Sequence, residues 1–215
     1  MGIHATSKRL NIYFDLDGTL IDSRRRLYLL FNQLVPESDL SFDAYWDLKR
    51  NKINHHQILT SRFSYNSESL NVFETQWMEN IEKAEWLAHD KPFEGVTSFL
   101  QRLKEKCFLY LITARQSENM ALTQIKFFGW ESLFAKVLVT GLKREKYDLI
   151  SENVLGKEDW LVGDTGKDIL TGKKLGIKTA AVLSGFLNQQ KLLEYHPDII
   201  VNYVTDLIFN KTSII

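Results

Sequence analysis

Two aspartates, Asp15 and Asp17, stand two positions apart at the end of an apolar run and are followed at once by Gly18 and Thr19. Asp and Gly are turn formers, so a lone Asp-Gly pair would read as a turn. A second acidic pair, Asp164 and Asp168, closes a later apolar run in "DWLVGDTGKD". Four carboxylates brought together repel one another and need a cation, and an all-oxygen set of this kind suits Mg²⁺. Thr113, at the end of "CFLYLIT", adds a hydroxyl, and the segment 143–146 can bring a lysine, Lys143 or Lys146, over the same place. One divalent cation and one lysine among carboxylates describe a site for an oxyanion whose charge is shared, with phosphate the first candidate.

These residues need a frame that brings them together. Short apolar runs rich in β-branched and aromatic residues recur at 10–15, 107–113, 135–140, 159–164, 178–183 and 197–201, and helical patterns lie between them from about residue 95 onward. Strand alternating with helix predicts an α/β fold with a mostly parallel, Rossmann-like sheet covered on both faces. Asp15, Thr113, Thr140 and Asp164 each end one of these runs. In open parallel sheets ligands bind at the carboxyl ends of the strands, so the pattern predicts that the four converge there.

One segment breaks the alternation. Between Gly18 and Gly95 there is no glycine, and Leu27, Leu30, Phe31 and Leu34, then Leu70, Phe73, Trp77 and Ile81, recur at helical spacing. The expected organisation is a core of residues 1–20 and 92–215 with an all-helical cap domain, 21–91, inserted after the first strand. Trp46, Trp77 and Trp86 are expected to pack this insert, and the five histidines show no zinc-ligand spacing.

The 27 basic and 27 acidic residues balance, so no global field favours nucleic acid or an anionic membrane surface. No apolar stretch is long enough to span a bilayer. The single Cys107 cannot form an internal disulfide, which fits a reducing, cytoplasmic setting. The start "MGIHATSKRL" lacks the apolar centre of a signal peptide; Met1, Gly2 and Thr6 match a loose myristoylation pattern, and a disordered start is the expectation.

"DLDGT", the Thr113 that closes "LYLIT", a lysine before the next helix and "GDTGKD" resemble, in order, the four motifs of the haloacid dehalogenase superfamily, and the resemblance covers nearly the whole chain. A fixed Asp-x-Asp-Gly-Thr occurs by chance about once in a thousand chains of this length. The long insert after the first motif resembles the helical cap of the phosphoglycolate phosphatase and β-phosphoglucomutase branch, and "GDTGKDILTGKKLGIKTAAVLSGF" resembles its phosphoglycolate phosphatase members.

The resemblance implies a Mg²⁺-dependent phosphatase acting on a small phosphorylated metabolite. Asp15 would be the nucleophile that forms an aspartyl-phosphate and a metal ligand, and Asp17 the general acid and base, with its backbone carbonyl on the metal. Gly18 and Thr19 would shape the turn. Thr113 and the backbone of Ala114 and Arg115 would hold the transferring phosphoryl, Arg115 also standing where it can touch substrate. Lys146, with Lys143 as the alternative, would balance charge. Asp164 would complete the metal set and Asp168 would hold a metal-bound water or the lysine.

The competing readings are a phosphomutase of the β-phosphoglucomutase kind, a phosphonate hydrolase using cap Lys49 or Lys52, and a non-catalytic binding module. The expected assembly is a monomer or homodimer. In the insert, "LKRNKINHHQIL" resembles the loop by which related caps reach the active site, with Asn51 expected at positive φ. Its Arg50, Lys52 and His55 are expected to meet the part of the substrate distal to phosphate.

Overall fold

The computed structural model describes residues 9–208; Met1, Gly2 and Thr6 lie outside them. In chain order the elements are β1 (Asn11–Phe14), β2 (Ile21–Asp22), α1 (Arg24–Leu34), α2 (Phe42–Arg50), α3 (His55–Phe63), α4 (Ser67–Asn80), α5 (Ala84–Leu87), β3 (Lys91–Pro92), α6 (Val96–Lys104), β4 (Phe108–Thr113), α7 (Glu118–Phe127), β5 (Lys136–Val139), α8 (Lys146–Ser151), β6 (Trp160–Gly163), α9 (Gly166–Leu175), β7 (Lys178–Val182), α10 (Gln189–Leu193) and β8 (Ile199–Val201), with a final 3₁₀ turn at Val204–Asp206.

Six strands form one parallel sheet in the order β5-β4-β1-β6-β7-β8. Both faces are covered, which is why the strands read as unbroken apolar runs rather than alternating ones. Along β1, Ile12 and Phe14 face a cluster that includes Phe99, Leu100 and Trp130, while Tyr13 faces the opposite side with Ile112, Leu138 and Ile150. Tyr13 stacks on Tyr110 of β4 at 4.6 Å between ring centres. The chain leaves β1 toward β4 and β5 on one side and later returns to β6, β7 and β8 on the other. The strand order therefore reverses at β1, and a crevice opens at its carboxyl end.

Helices α1–α5 occupy the insert, between β2 and β3, and share a separate apolar cluster that includes Leu27, Leu30, Phe31, Tyr45, Trp46, Leu70, Phe73, Ile81 and Trp86. Both predicted stripes point into it, and Trp77 packs against it half-buried. The sequence pattern gave no sign of the two-stranded antiparallel ribbon β2–β3, in which Ile21 pairs with Pro92 and Asp22 with Lys91. This ribbon holds together the two crossings between insert and core.

The segment 48–59 differs from expectation. Helix α2 continues to Arg50 and α3 starts at His55, so only four residues link them. Lys52, not Asn51, takes the left-handed conformation, with φ of 67°. Asn51 caps α2; the Lys52 N–H returns to the Lys49 carbonyl and the Ile53 N–H to the Leu48 carbonyl, a closing pair that places positive φ on the residue after the cap. A capping box of Asn54 and Gln57 then starts α3.

His55 lies among the rings of Phe31, Tyr45, Phe73 and Trp77, and its Nε2 meets the Tyr45 hydroxyl at 2.8 Å. Desolvation, helped by nearby Lys49, holds its pKa well below the usual imidazole value. The folded state therefore keeps His55 neutral while the unfolded chain takes up a proton below pH ~6.5. Stability is lost as pH falls through that region. In urea unfolding, the stability of His55→Phe relative to the wild type should rise by up to about 1.4 kcal/mol per pH unit below ~6.5. A difference that stays constant between pH 7 and pH 5 would contradict this placement of the imidazole.

Candidate active site

The crevice at the end of β1 is a cavity of about 570 Å³ whose lining includes Asp15, Asp17, Thr113, Lys146, Asp164 and Asp168. β1 delivers Asp15 and β6, its neighbour, delivers Asp164; the Asp15 N–H bonds the Val162 carbonyl and ties the two strand ends together. β4, on the other side, delivers Thr113, which is buried, and the loop after it brings Ala114 and Arg115 into the lining.

Asp168 is placed by its own helix. It sits in the first turn of α9, where a carboxylate is favoured, and its Oδ2 accepts from the Thr165 hydroxyl at 2.6 Å and the Thr165 N–H at 3.1 Å. Its Oδ1 accepts from Lys146 Nζ at 2.6 Å, and the same ammonium reaches Asp15 Oδ1 at 2.5 Å. Lys146, the first residue of α8, is thus the lysine that meets the carboxylates, whereas Lys143 only lines the cavity. Burial opposes its charge, yet Asp15 and Asp168 hold it protonated, above its ordinary pKa.

Glycines leave the space that Asp164 and Asp168 fill. A Cβ on Gly185 would stand 1.9 Å from Asp164 Oδ2, one on Gly18 2.5 Å from the same atom, and one on Gly163 2.3 Å from the Asp168 carboxyl carbon. Gly18 also has φ of 81°, which the Asp17–Ile21 turn requires. Thr19 follows it fully buried. Asp164 Oδ2 accepts from the Phe186 N–H at 2.6 Å, while its Oδ1 is buried with no hydrogen-bond partner.

That orphaned oxygen tests whether a cation fits. Oxygen atoms of Asp15, Asp164 and Asp168 lie within 4.8 Å of one another. Burial pushes the pKa of Asp15 up to about 7 in spite of Lys146, and burial together with Asp15 and Asp168 pushes that of Asp164 well above the carboxylate range. The protein alone does not balance this charge, and a hard divalent cation such as Mg²⁺, bound by oxygen, would both balance it and occupy the free lone pairs of Asp164.

Asp17 has different company. Arg115 grips it as a fork, Nε to Oδ2 at 2.8 Å and an Nη to Oδ1 at 2.9 Å, and Arg26 of α1 binds Oδ1 as well. Burial would raise its pKa, but Arg115 and Arg26 together hold it well below the usual carboxylate value. Behind them Asp90, just before β3, accepts from Arg26 at 3.0 Å, Arg115 at 3.2 Å and Gln124 at 3.0 Å. Arg26, Asp90 and Gln124 were not singled out in the sequence. The one available hint was the run Arg24–Arg25–Arg26 opening a helix, where positive charge opposes the helix dipole unless it is paired.

Arg50, Lys52 and His55 do not line this cavity. Arg50 donates to the Leu183 carbonyl at 3.2 Å and Lys52 to the Tyr195 hydroxyl at 2.7 Å, so the α2–α3 link docks on the outer loops of the core. His55 points into the insert's aromatic cluster. The end of α2 thus directs Arg50 and Lys52 away from the crevice, onto the loops that follow β7 and α10. Lys49 is absent from the lining as well.

The chain is similar to known sequences along nearly its full length. It is 28% identical over 210 residues to pyrophosphatase PpaX of Halalkalibacterium halodurans, covering 92% of this chain and 94% of that one. Phosphoglycolate phosphatase of Aquifex aeolicus is 28% identical over 211 residues, with the same coverage, 92% and 94%. Among solved structures, a predicted phosphoglycolate phosphatase from Haemophilus somnus superposes with a TM-score of 0.71 at 21% identity, over 94% of this chain and 97% of that one. A haloacid dehalogenase-like family protein from Streptococcus pneumoniae gives 0.69 at 22%, over 90% and 94%. At these identities the structures speak for the fold. The haloacid dehalogenase-like hydrolase profile matches residues 12–182, and with its parallel sheet and the acidic crevice at the reversal point the chain belongs to that family.

Proposed function

We propose that this protein is a Mg²⁺-dependent phosphatase that hydrolyses a small phosphorylated metabolite through a phosphoryl group carried on Asp15. The observation that carries the reading is the pairing of Asp15 with Lys146 beside the orphaned Asp164 oxygen. The relatives named pyrophosphatase and phosphoglycolate phosphatase support the reaction class.

Asp15, Asp164 and the backbone of Asp17 would hold the metal, with Asp168 behind them. When bound, it supplies positive charge that lets an anionic carboxylate approach an anionic phosphate. Lys146 occupies Oδ1 of Asp15 and leaves Oδ2 without a hydrogen bond from the described residues. Oδ2 attacks phosphorus, the bond from phosphorus to the leaving oxygen breaks, and Asp17 gives that oxygen a proton. Asp17 then takes a proton from the water that attacks the same phosphorus, and Asp15 is released with inorganic phosphate. Thr113 and the 114–115 backbone hold the phosphoryl oxygens while charge shifts among them. The carboxylate of Asp17, held ionised by two arginines, is ready for the second half as it stands. For the first half Asp17 has to take up a proton from solvent, as the leaving group takes over part of those arginine contacts, and it passes that proton to the leaving oxygen.

Asp15→Asn should keep the fold and lower kcat at least about a thousandfold on p-nitrophenyl phosphate, because the neutral amide cannot form the intermediate. Retention of more than about a tenth of the activity would remove Asp15 from its role. EDTA should abolish phosphate release and Mg²⁺ restore it, whereas Ca²⁺, with its larger and looser shell, should support little turnover. Full activity in chelator would contradict the metal reading. Gly185→Ala drives a methyl group into Asp164, and the Mg²⁺ concentration for half-maximal activity should rise at least about tenfold with unchanged far-ultraviolet circular dichroism.

A further inference from the structure

The wall of the cavity on the Asp17 side is built from Ser23, Arg26, Leu27, Ile81 and Arg115. Ser23 occupies the N-cap position of α1, yet its hydroxyl makes no capping bond, is buried at 1% exposure and has no hydrogen-bond partner. An N-cap serine normally accepts from the first turn, so an unpartnered buried hydroxyl there is costly unless a ligand meets it. No acidic residue stands in that turn to meet the helix dipole. Arg26 uses three N–H groups, on Asp17, Asp90 and the Ile81 carbonyl, and Arg115 four, on Asp17 twice, Gln124 and Asp90. A guanidinium has five, so both keep donors in reserve. Glu82, the nearby acid on this wall, is engaged by the backbone N–H groups of Gln116 and Ser117 at 2.8 and 2.9 Å.

We infer that Ser23, Arg26 and Arg115 form a second oxyanion subsite, which holds a compact anion, a carboxylate or a second phosphoryl, carried on the leaving group a few bonds from the scissile oxygen. The inference rests on the phosphatase reading, since Asp17 can protonate the leaving oxygen only if the leaving group lies against it, and the atoms beyond that oxygen then lie at the two guanidiniums. Arginine forks match planar and tetrahedral oxyanions. Leu27 and Ile81 offer nothing to sugar hydroxyls, so an uncharged polyol is the poorer occupant.

The test measures kcat/KM with Mg²⁺ for 2-phosphoglycolate, pyrophosphate, glycerol phosphate and p-nitrophenyl phosphate on the wild type, Ser23→Ala, Arg26→Lys and Arg26→Met. The wild type should favour at least one of the first two over glycerol phosphate by about tenfold or more, phosphoglycolate indicating a carboxylate and pyrophosphate a phosphoryl group. Ser23→Ala and both Arg26 variants should reduce that ratio by about tenfold. Arg26→Met leaves Asp90 buried without this partner and can fail to fold; Ser23→Ala and Arg26→Lys keep the charge balance and decide the matter. Phosphate release without a preference, or a ratio that Ser23→Ala and Arg26→Lys both leave within about threefold, overturns the subsite alone. A wild type that releases phosphate from none of the four overturns the reaction and the subsite together.

Discussion

The arrangement depends on one electrostatic constraint: carboxylates are gathered where the sheet reverses, in a place with too few cations to balance them. Asp15, Asp17, Asp164, Asp168 and Asp90 face Lys146, Arg26 and Arg115, which leaves two more negative charges than positive if all are ionised. Burial makes such an excess expensive, since charge removed from water must be met by partners. The structure divides the cluster. Lys146 serves Asp15 and Asp168, the two arginines serve Asp17 and Asp90, and Asp164 is met by a backbone N–H alone.

This division separates two chemistries in one crevice. Toward β6 the groups are oxygen-rich and short of positive charge, which suits a hard metal ion. Toward the insert two arginines meet Asp17 and Asp90 and keep N–H groups to spare. The second half cannot form from the core alone, because Arg26 belongs to α1 and Asp90 to the chain returning from α5. The ribbon β2–β3 brings those two crossings side by side, and the buried Arg26–Asp90 pair ties the insert to the site. The loop 184–186 makes a second tie: Ser184 bonds the Gly18 carbonyl at 2.7 Å, the Phe186 N–H holds Asp164, and the Phe186 ring lies 5.3 Å from Trp46 of α2. The insert is thereby in contact with the groups that hold Asp164 and Asp17.

Much of the frame was legible because local rules act over a few residues. Uninterrupted apolar runs marked strands buried on both faces, helical spacing marked α1 and α4, and Asp168 was expected at a helix start, where α9 has it. The stretch 48–59 misled because its basic residues carry no local sign of direction. A cap at Asn51 and positive φ at Lys52 turn Arg50 and Lys52 toward Leu183 and Tyr195, and those partners lie more than a hundred residues away in the chain.

The sequence by itself determined the family frame: two acidic pairs and a threonine, each at the end of an apolar run, leave few arrangements once the runs form a parallel sheet. Which lysine meets Asp15, which side chains grip Asp17, and that Asp164 keeps an unpartnered oxygen were decided only by tertiary structure. Each depends on charges from separate elements, α8, α1 and the approach to β3, arriving at one point. Spacing along a chain constrains neighbours within a turn or a strand. Long-range ion pairs are selected by burial, which acts only after the elements have packed.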